Sequence, residues 1–315
     1  MKKKILILTD GKAGHENQSK AFARALGFAF DLLPVAFRSA SAKSLSYPLD
    51  RLGLRTRALF RTTPPVSTLS KDAYAAVIGT GSGTFYAAKT LARRLGVRCG
   101  VVLYPRGYDL ASFDCILAPA FDRPNARPNV VRIPANLVAV DAAFYAAGTK
   151  AFLERHTPAA HKRAVAVVVG GPNKCATMSA RWMNAQLDRI FRVHKGAEFW
   201  VTTSRRTPPD VEAVVDSFPF DYKLLYSKDH FNPIPAFVSL AKTLYVTAES
   251  TGMISEACTH GGAEVRVLDN LKPGPHKFRR FIDDLAGGGF LNGSRKISLT
   301  AQFARAAELL HLDQA

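Results

Sequence analysis

The sequence lacks the long apolar runs and paired cysteines that mark membrane and disulfide-rich proteins. No window approaches the ~18 consecutive apolar residues of a membrane-spanning helix. The basic start is followed by only a short apolar stretch, residues 5–8, without a small-residue cleavage site, so we expect no signal peptide. The four cysteines show no CxxC spacing. We therefore expect buried, reduced thiols in a cytoplasmic protein.

Short motifs of several common enzyme classes are also missing. The chain has no GxxxxGK[ST] phosphate loop, no GxSxG nucleophile elbow and no DxD metal motif. The stretch IGTGSGTF comes near to the dinucleotide pattern GxGxxG, but Thr84 stands where the third glycine is needed. We therefore expect no metal and no cofactor. The loop GTGSG, with Gly81 and Ser82, is interpreted either as lining a cleft from the first domain or as a packing turn.

The charge of the chain is strongly unbalanced. It carries 43 Lys and Arg against 25 Asp and Glu, a net charge of +18, and residues 1–150 hold 22 basic against 9 acidic side chains. The excess is greatest over Arg51–Pro65, where arginines interleave with Leu and Phe. Such a basic amphipathic stretch fits an anionic membrane surface, and it fits an acidic partner protein equally well. No nucleic-acid-binding motif is present, so we expect no nucleic-acid partner.

Short β-rich apolar runs alternate with helical periods, which is typical of parallel sheets with crossover helices. The pattern restarts at Ala164, after a polar, proline-containing linker over 157–163. We therefore predict an α/β protein with two doubly wound parallel-sheet domains facing a cleft, residues 1–156 and 164–292, and a C-terminal helix in 293–315 that packs back on the first domain. The predicted strands are 4–9, 28–35, 75–80, 99–105, 114–119, 129–134, 164–171, 197–204, 222–227, 243–250 and 263–269, and the predicted helices are 16–27, 84–96, 141–156, 179–196, 209–218, 232–242 and 251–261.

The loop after the first strand, DGKAGHENQ, combines two glycines with Lys12 and His15. Gly11 and Gly14 let the backbone approach a ligand or take positive φ, and Lys12 adds charge. Histidine has an ordinary pKa near neutrality, so His15 at the helix start is suited to take a proton from a hydroxyl. The alternative is a capping turn with a surface histidine. The neighbouring Asp10, Lys12 and glycines favour a catalytic role.

Two turns in the second half carry groups that suit an anion. The first, VVVGGPNK (167–174), follows a buried strand, and the second, VTTSRRTPP (201–209), brings three hydroxyls and two arginines. Arginine at a strand end suits a phosphate, because its guanidinium makes paired hydrogen bonds. Each turn also has a plain interpretation, as a tight βα turn and as a solvated basic turn. The candidate residues are Gly170, Gly171, Lys174, Ser204, Arg205 and Arg206.

The stretch YVTAESTGMISEACTHGG (245–262) gives the strongest signal, because a strand ends and a helix begins at once. The first-turn N–H groups and hydroxyls of such a helix fit a diphosphate. Glu256 lies one and a half turns into the helix, and its carboxylate is suited to accept hydrogen bonds from two ribose hydroxyls. The alternative is that Glu249 and Ser250 simply cap the helix. The candidate residues are Ser250, Thr251, Ser255 and Glu256.

Together these segments resemble known proteins over nearly the whole chain. The GG turn, the Thr/Ser turn and the Ser/Thr-x-x-x-x-Glu-Ala helix resemble the nucleotide-sugar domain of GT-B glycosyltransferases. GKAGH resembles the GGH loop of the transferase that adds N-acetylglucosamine to the lipid-linked peptidoglycan precursor. DGKAGHENQ, GGP, TTSRRTP, TAESTGMISEA and KPGPHKFRRF more closely resemble the family named for the plant "elongated mitochondria" fission protein, whose bacterial members are often labelled nucleoside-diphosphate-sugar epimerases. In AESTGMISEA the chain departs at Glu249 and Gly252, where relatives are expected to have Asp-Ser-Val-Ser.

This resemblance implies a GT-B-like fold and a metal-independent glycosyltransferase-like enzyme that uses a nucleoside-diphosphate-sugar as donor. The base and ribose are expected near Asn232 and Glu256, with the acceptor on the basic first domain. His15, or Asp10 if His15 only orients, is expected to deprotonate the acceptor hydroxyl. The expected location is cytoplasmic, with a peripheral membrane or lipid-linked acceptor as one reading of the charge. A nucleotide-sugar 2-epimerase and a non-catalytic GT-B scaffold remain as alternatives, and the fission role belongs to the plant branch.

Overall fold

The structure is a computed structural model, and it describes residues 3–138 and 142–312. Its contacts divide the chain into two compact units, residues 1–140 with 299–315 and residues 141–298. This division differs from the predicted one, which assigned the helix over 142–153 to the first domain. That helix belongs to the second unit because its buried Phe152 packs against Trp200 and Phe237, with ring centroids 5.1 and 5.9 Å away.

Within the described residues the first unit is built on a seven-stranded sheet with the order β3-β2-β1-β4-β5-β6-β7. All neighbouring pairs are parallel except β2 and β3, where the short edge strand runs antiparallel. The elements in chain order are β1 (Lys4–Thr9), α1 (Ala13–Ala25), β2 (Phe30–Phe37), α2 (Ala40–Arg51), β3 (Phe60–Thr62), β4 (Tyr74–Thr80), α3 (Phe85–Leu95), β5 (Arg98–Val102), β6 (Cys115–Pro119) and β7 (Val130–Ile133).

The second unit, as far as the structure describes it, is built on a five-stranded parallel sheet with the order β10-β9-β8-β11-β12. After it the chain returns to the first unit as α10 (Thr300–Leu309), which lies against β6 and β7. The other elements are α4 (Ala142–Leu153), β8 (Ala164–Val168), α5 (Ala180–Val193), β9 (Glu198–Thr202), α6 (Pro209–Ser217), β10 (Tyr222–Leu224), α7 (Ile234–Leu240), β11 (Thr243–Thr247), α8 (Thr251–Thr259), β12 (Glu264–Leu268) and α9 (Lys277–Gly287).

Each sheet is buried on both faces, which is why its central strands are continuously apolar. Along β1, Ile5 and Ile7 join the core under α1 and α10, whereas Leu6 and Leu8 join the core under α3. Leu310, which follows α10, is buried and would lie 3.3 Å from a Cβ added at Gly100 of β5. Burial of each such side chain contributes about 1.5–3 kcal/mol.

The predicted alternation of strands and helices is confirmed, and each predicted strand has a counterpart whose ends lie within three residues. Several predicted strands in the second half are too long because they include polar residues of the following loops. The helix predicted over 16–27 begins earlier, at Ala13. Sequence reasoning missed α2 and β3; α2 is capped by the Ser39 hydroxyl, which accepts from the Ala42 N–H at 3.0 Å, and it tolerates Pro48 inside the helix.

The basic stretch Arg51–Pro65 is not one amphipathic surface, and that expectation is wrong for Arg55. Its guanidinium lies 3.3 Å from the carboxylate of Asp50, which is fully buried and also accepts from the Lys89 ammonium at 2.9 Å. Burial lowers the pKa of Lys89, and the Asp50 carboxylate opposes that shift. Arg55 therefore neutralises an internal carboxylate, while Arg57 and Arg61 remain exposed.

The cysteines behave as expected for reduced thiols. All four are free, and Cys99, Cys115 and Cys258 are buried. Burial raises the pKa of Cys115 and of Cys258 to about 12, so both stay protonated at neutral pH. Over residues 3–138 and 142–312, no helix has the length and apolarity needed to cross a bilayer.

We expect Asp50→Ala to lower the free energy of unfolding by about 3–5 kcal/mol, because it leaves the Lys89 ammonium buried without its carboxylate. Urea denaturation measures the change. Glu308→Ala is the matched control, since it removes one partner of the exposed Arg305–Glu308 pair and should cost less than about 1 kcal/mol. Equal losses in the two variants would contradict the buried pair.

Candidate functional site

Both sheets reverse their strand order at one point. In the first unit the crossovers diverge between β1 and β4, and in the second unit between β8 and β11. Ligands of open parallel sheets bind outside the carboxyl ends of the strands at such a point. The predicted site residues follow these four strands or their neighbours, so each unit has its own candidate site.

The first unit brings together Asp10 and His15 beside the carboxyl end of β1. Asp10 follows the strand directly, and His15 lies in the first turn of α1. The imidazole Nδ1 is 3.1 Å from both carboxylate oxygens of Asp10, and the Lys12 ammonium is 2.7 Å from Oδ2. The Asp10 side chain is only 8% exposed, whereas that of His15 is 23% exposed. The pair is therefore fixed from the buried side and reachable from the His15 side.

The glycines of the loop after β4 cover this pair. A Cβ at position 81 would lie 2.3 Å from Cε1 of His15, and a Cβ at position 83 would lie 2.7 Å from Oδ2 of Asp10. Position 81 also has φ +78°, which disfavours any other residue. The sequence predicts that Gly81 and the Asp10–His15 loop share one domain, but it does not show that Gly81 approaches the imidazole and Gly83 the carboxylate.

The electrostatics assign different roles to the two side chains. Burial opposes ionisation of Asp10, but hydrogen bonds and charges from Lys12 and His15 outweigh it and hold the pKa of Asp10 below its usual value. When His15 is neutral, the ionised Asp10 accepts the proton on Nδ1, and Nε2 is then the acceptor nitrogen of the ring. Asp10 is thus suited to orient the imidazole, and His15 is suited to receive a proton.

The other acceptor-side candidates are less closely tied to the pair. Gly11 has φ +78°, but Gly14 lies inside α1 with open space where a Cβ would stand. Ser82 accepts from the Lys43 ammonium at 3.1 Å. Sequence reasoning missed Gln18, whose Nε2 donates to the Gly14 carbonyl at 3.2 Å. Its Oε1 is buried and has no hydrogen-bond partner within the part of the chain that the structure describes.

The second unit has a cavity of about 250 Å³ at the carboxyl ends of β8, β9 and β10. Its lining includes the start of α8, the segment before α7 and the turn after β9. No carboxylate belongs to this lining. It brings together six of the predicted residues, namely Gly170, Ser204, Arg205, Arg206, Asn232 and Ser250.

The turn over 204–207 is organised by Thr207, which sequence reasoning missed. The Ser204 N–H donates to the Thr207 hydroxyl oxygen at 2.9 Å, and that hydroxyl donates to the Gly170 carbonyl at 2.6 Å. The Ser204 hydroxyl accepts from the Arg206 N–H at 3.3 Å. Ser204 therefore shapes the turn that carries Arg205. Arg205 is exposed, and in residues 3–138 and 142–312 no carboxylate lies within ion-pair distance of it.

The GG turn is not an open anion site, because Glu249 occupies it. The Gly171 N–H donates to Oε1 of Glu249 at 2.8 Å, and the Gly170 N–H donates to the Thr247 hydroxyl at 2.9 Å. Asn270 donates to Oε2 of the same carboxylate at 2.8 Å. A Cβ at position 170 would lie 1.9 Å from Oε1. The glycines here accommodate a buried carboxylate of the protein, and the predicted anion-facing role of Gly170 and Gly171 is corrected accordingly.

The start of α8 is only partly available. Ser250 is the N-cap residue, and its hydroxyl makes no capping hydrogen bond. Ser255 is buried, and its hydroxyl donates to the Thr251 carbonyl at 2.6 Å. In this structure the hydrogen bond to the preceding turn takes the proton of the Ser255 hydroxyl, and the phosphate role of Ser255 stays a prediction.

Glu256 is held away from the cavity lining by an unforeseen partner. The Tyr145 hydroxyl of α4 donates to Oε1 of Glu256 at 2.8 Å. Burial raises the pKa of Glu256, and the bond from Tyr145 opposes part of that rise. Thr251 and the exposed Lys174 also lie outside the lining.

Sequence reasoning also missed an aromatic pair in the cavity wall. The rings of Tyr226 and His230 stack with centroids 4.4 Å apart and planes 25° apart. Phe231 and Met253 add apolar surface. Asn232 uses its side-chain oxygen to accept from the Ile234 N–H at 3.2 Å, so it caps the approach to α7. Nothing in the sequence period marks these residues, because they lie in an irregular segment.

The metal prediction concerns both units. In the part of the chain that the structure describes, no group of three or more His, Cys, Asp or Glu side chains is placed to hold a metal ion. The predicted absence of a metal and of a cofactor stays a prediction.

Comparisons with known proteins agree with this architecture. The family model described as Mitochondrial fission ELM1 matches residues 13–307. An uncharacterized protein of Rickettsia prowazekii is 29% identical over 139 residues, which cover 42% of this chain and 38% of that protein. The match thus spans well under half the length of that curated relative.

Solved structures show the fold. A Listeria monocytogenes protein assigned as a UDP-N-acetylglucosamine 2-epimerase has a TM-score of 0.50 at 12% identity, covering 100% of this chain and 89% of that chain. A family 9 glycosyl transferase of Veillonella parvula has a TM-score of 0.41 at 12% identity, covering 99% and 98%. The two parallel sheets and the likeness to the Listeria structure confirm the predicted GT-B-like α/β fold.

We expect Gly81→Ala to break the Asp10–His15 hydrogen bond, because the new methyl group overlaps the imidazole at a backbone position that already disfavours a side chain. The ¹⁵N chemical shifts of the His15 ring nitrogens measure this loss. Gly14→Ala is the matched control, since its methyl group points into open space and alanine favours the helix by about 1 kcal/mol. Unchanged His15 shifts in Gly81→Ala would show that the loop does not cover the imidazole.

Proposed function

The chain belongs to the Mitochondrial fission ELM1 family, and on that premise we propose that it is a GT-B-type glycosyltransferase that moves a sugar from a nucleoside-diphosphate-sugar to an acceptor hydroxyl. The fission role in the family's description is not carried over to this chain, because a fold and a family do not by themselves transfer a function. The observation that carries the proposal is the cavity of the second unit, whose lining holds no carboxylate. Arg205, Arg206, Ser250 and the aromatic rings of its wall line this cavity.

The wall of this cavity supports binding of a nucleobase. The stacked Tyr226 and His230 rings offer a flat π surface, and Phe231 and Ile234 add apolar contacts. The volume of about 250 Å³ lies just below the roughly 300 Å³ at which small-molecule sites begin, so the cavity would hold the base while the rest of the donor extends out of it. We propose that the base lies against this wall, close to Asn232.

The phosphates are proposed to lie between Arg205 and the start of α8. Among the described residues no carboxylate lies within ion-pair distance of Arg205. Ser250 lines the cavity at the start of α8, and its hydroxyl makes no capping hydrogen bond. Arg206 stands 4.0 Å from Oε1 of Glu249, so its charge is already shared with the protein. Arg205 and the helix dipole would therefore stabilise the charge that develops on the leaving diphosphate.

The acceptor hydroxyl is proposed to lose its proton to Nε2 of His15. Asp10 holds the opposite ring nitrogen and favours the imidazolium that forms. The lowered pKa of Asp10 makes that carboxylate a poor base, which supports His15 rather than Asp10 in this role.

We expect one of UDP, GDP, CDP or ADP to raise the melting temperature by a few degrees, since a ligand at a hundred times its Kd stabilises the folded state by about 2.7 kcal/mol. Arg205→Ala should weaken that ligand about tenfold or more, because it removes a charge-assisted hydrogen bond to phosphate. Arg181→Ala, which removes an exposed arginine of α5 outside the cavity, should leave the shift unchanged. Thermal-shift titrations measure all three.

The alternatives predict different outcomes of this experiment. A non-catalytic scaffold gives no shift with any nucleotide, and that result would overturn the proposal. A 2-epimerase gives a shift with UDP and converts UDP-N-acetylglucosamine without any acceptor, which product analysis detects. In a transferase assay, His15→Ala should lower kcat by about 10²–10⁴-fold with an unchanged nucleotide shift.

The location of the acceptor is proposed to be an anionic membrane surface. The first unit has a cavity of about 410 Å³ lined by Arg38, Arg57 and Arg61, with no carboxylate in the lining. Leu52 and Leu54, which lie between α2 and this region of the sequence, are 72% and 53% exposed. Exposed leucines with arginines suit the headgroup region of a bilayer.

We expect the protein to co-sediment with phosphatidylglycerol vesicles and Arg57→Glu/Arg61→Glu to bind at least about tenfold more weakly, given about 1 kcal/mol for each basic residue at an anionic surface. Arg181→Glu/Arg189→Glu makes the same charge change on exposed positions of α5 and should have a smaller effect. No sedimentation of the unmodified protein would favour an acidic protein partner instead and contradict the membrane proposal.

A further inference from the structure

A basic cavity lies at the amino ends of the strands of the second sheet, away from the proposed donor site. Its volume is about 560 Å³, and it is lined at the amino ends of β8, β9, β11 and β12. None of the predicted site residues lines it, whereas the linker over 157–163 contributes His161, Lys162 and Arg163. The donor cavity is at the carboxyl ends of the same strands, so the two cavities are separated by the length of the sheet.

Positive charge is concentrated in this lining without compensation. The lining contains one carboxylate, that of Glu264, and it lies 2.9 Å from the Arg266 guanidinium. The remaining cations are Lys162, Arg163, Lys195 and Lys242. Within residues 3–138 and 142–312, none of these four is within ion-pair distance of a carboxylate. Uncompensated like charges in one cavity destabilise the folded state, so an anion bound there would relieve a real repulsion.

One wall of the cavity is fixed by hydrogen bonds. The Arg266 guanidinium donates to the Tyr245 hydroxyl oxygen at 3.4 Å, so the Tyr245 proton is directed to Nε2 of His194 at 3.0 Å. This arrangement assigns Nδ1 as the protonated nitrogen of neutral His194. His194 and Arg266 are half-buried, in contrast to the exposed lysines. The site therefore has one wall fixed by hydrogen bonds and a rim of exposed lysines.

We propose that this cavity binds a compact ligand that carries two or more phosphate groups. Four unpaired cations in one concave site exceed what a single carboxylate or chloride would neutralise, and lysine and arginine are both suited to phosphate oxygens. Val193 is the one exposed large apolar side chain of the lining within the described residues, so the site has little to offer an apolar ligand.

His194 gives the site a direct spectroscopic readout. Burial, reinforced by the charge of Arg266, lowers the pKa of His194, and Glu264 opposes that shift only in part. Lys195, next in sequence, also faces the cavity. An anion bound among these groups favours the imidazolium, so it should raise the pKa of His194.

The test is an NMR titration of the unmodified full chain with inorganic tripolyphosphate, following the His194 ring resonances assigned with His194→Gln. We expect saturable shifts and an increase in the pKa of His194. Lys195→Ser/Lys242→Ser should weaken the apparent affinity roughly tenfold or more, since two charge-assisted hydrogen bonds are lost. Arg205→Ala/Arg206→Ala removes the same charge at the donor cavity and should leave the His194 titration unchanged.

The outcomes separate this site from the donor site and from bulk charge. Unchanged His194 resonances at saturating tripolyphosphate, or equal weakening in the two double variants, would overturn the proposal, whatever the nucleotide experiments give. A second arm uses vesicles that contain phosphatidylinositol phosphates. A response of His194 to vesicles as well as to tripolyphosphate supports the site and identifies a headgroup as a source of the phosphates; a response to tripolyphosphate alone supports it with a soluble source.

Discussion

The candidate sites of both units depend on one constraint, the close approach of a loop backbone to a carboxylate at the carboxyl end of a sheet. In the first unit Gly83 leaves room for Asp10, and in the second unit Gly170 leaves room for Glu249. A buried carboxylate is stable only if donors surround it. The loop N–H groups, hydroxyls and cations that satisfy it are thereby fixed in place, and the side chains that remain, His15 and Arg205, keep their reactive atoms for a ligand.

The fold could be predicted from the sequence because both sheets are buried on two faces. Their strands are short apolar runs, and the helices between them keep a regular period, so the order of elements was readable and the family resemblance agreed with it. The boundary between the units could not be predicted from the sequence. The helix α4 belongs to the second unit because Phe152 packs against Trp200 and Phe237, which are distant in the sequence. The edge strand β3 has only three residues and gives no period at all.

The sequence predicts which loops carry the candidate site residues, but it does not predict the hydrogen-bond partners of those residues. Glycines, histidine and arginines after strands mark the loops in which the structure places the candidate sites, as Asp10, His15 and Arg205 illustrate. What each polar group contacts depends on residues distant in the chain. Tyr145 reaches Glu256 across 111 positions, and Glu249 fills a turn that a sequence suggests is open to a ligand. Arg55 looked like a surface cation because nothing local indicates that Asp50 is buried beside it.

The return of α10 to the first unit has a consequence for how the chain matures on the ribosome. The apolar faces of β6 and β7 are covered by this helix, and Ala306 and Leu310 are almost completely buried there. The second unit is synthesised in full before those residues emerge. During translation the apolar surface of β6 and β7 therefore stays exposed until α10 has been synthesised. Chaperones that recognise exposed apolar surface would bind there in that interval.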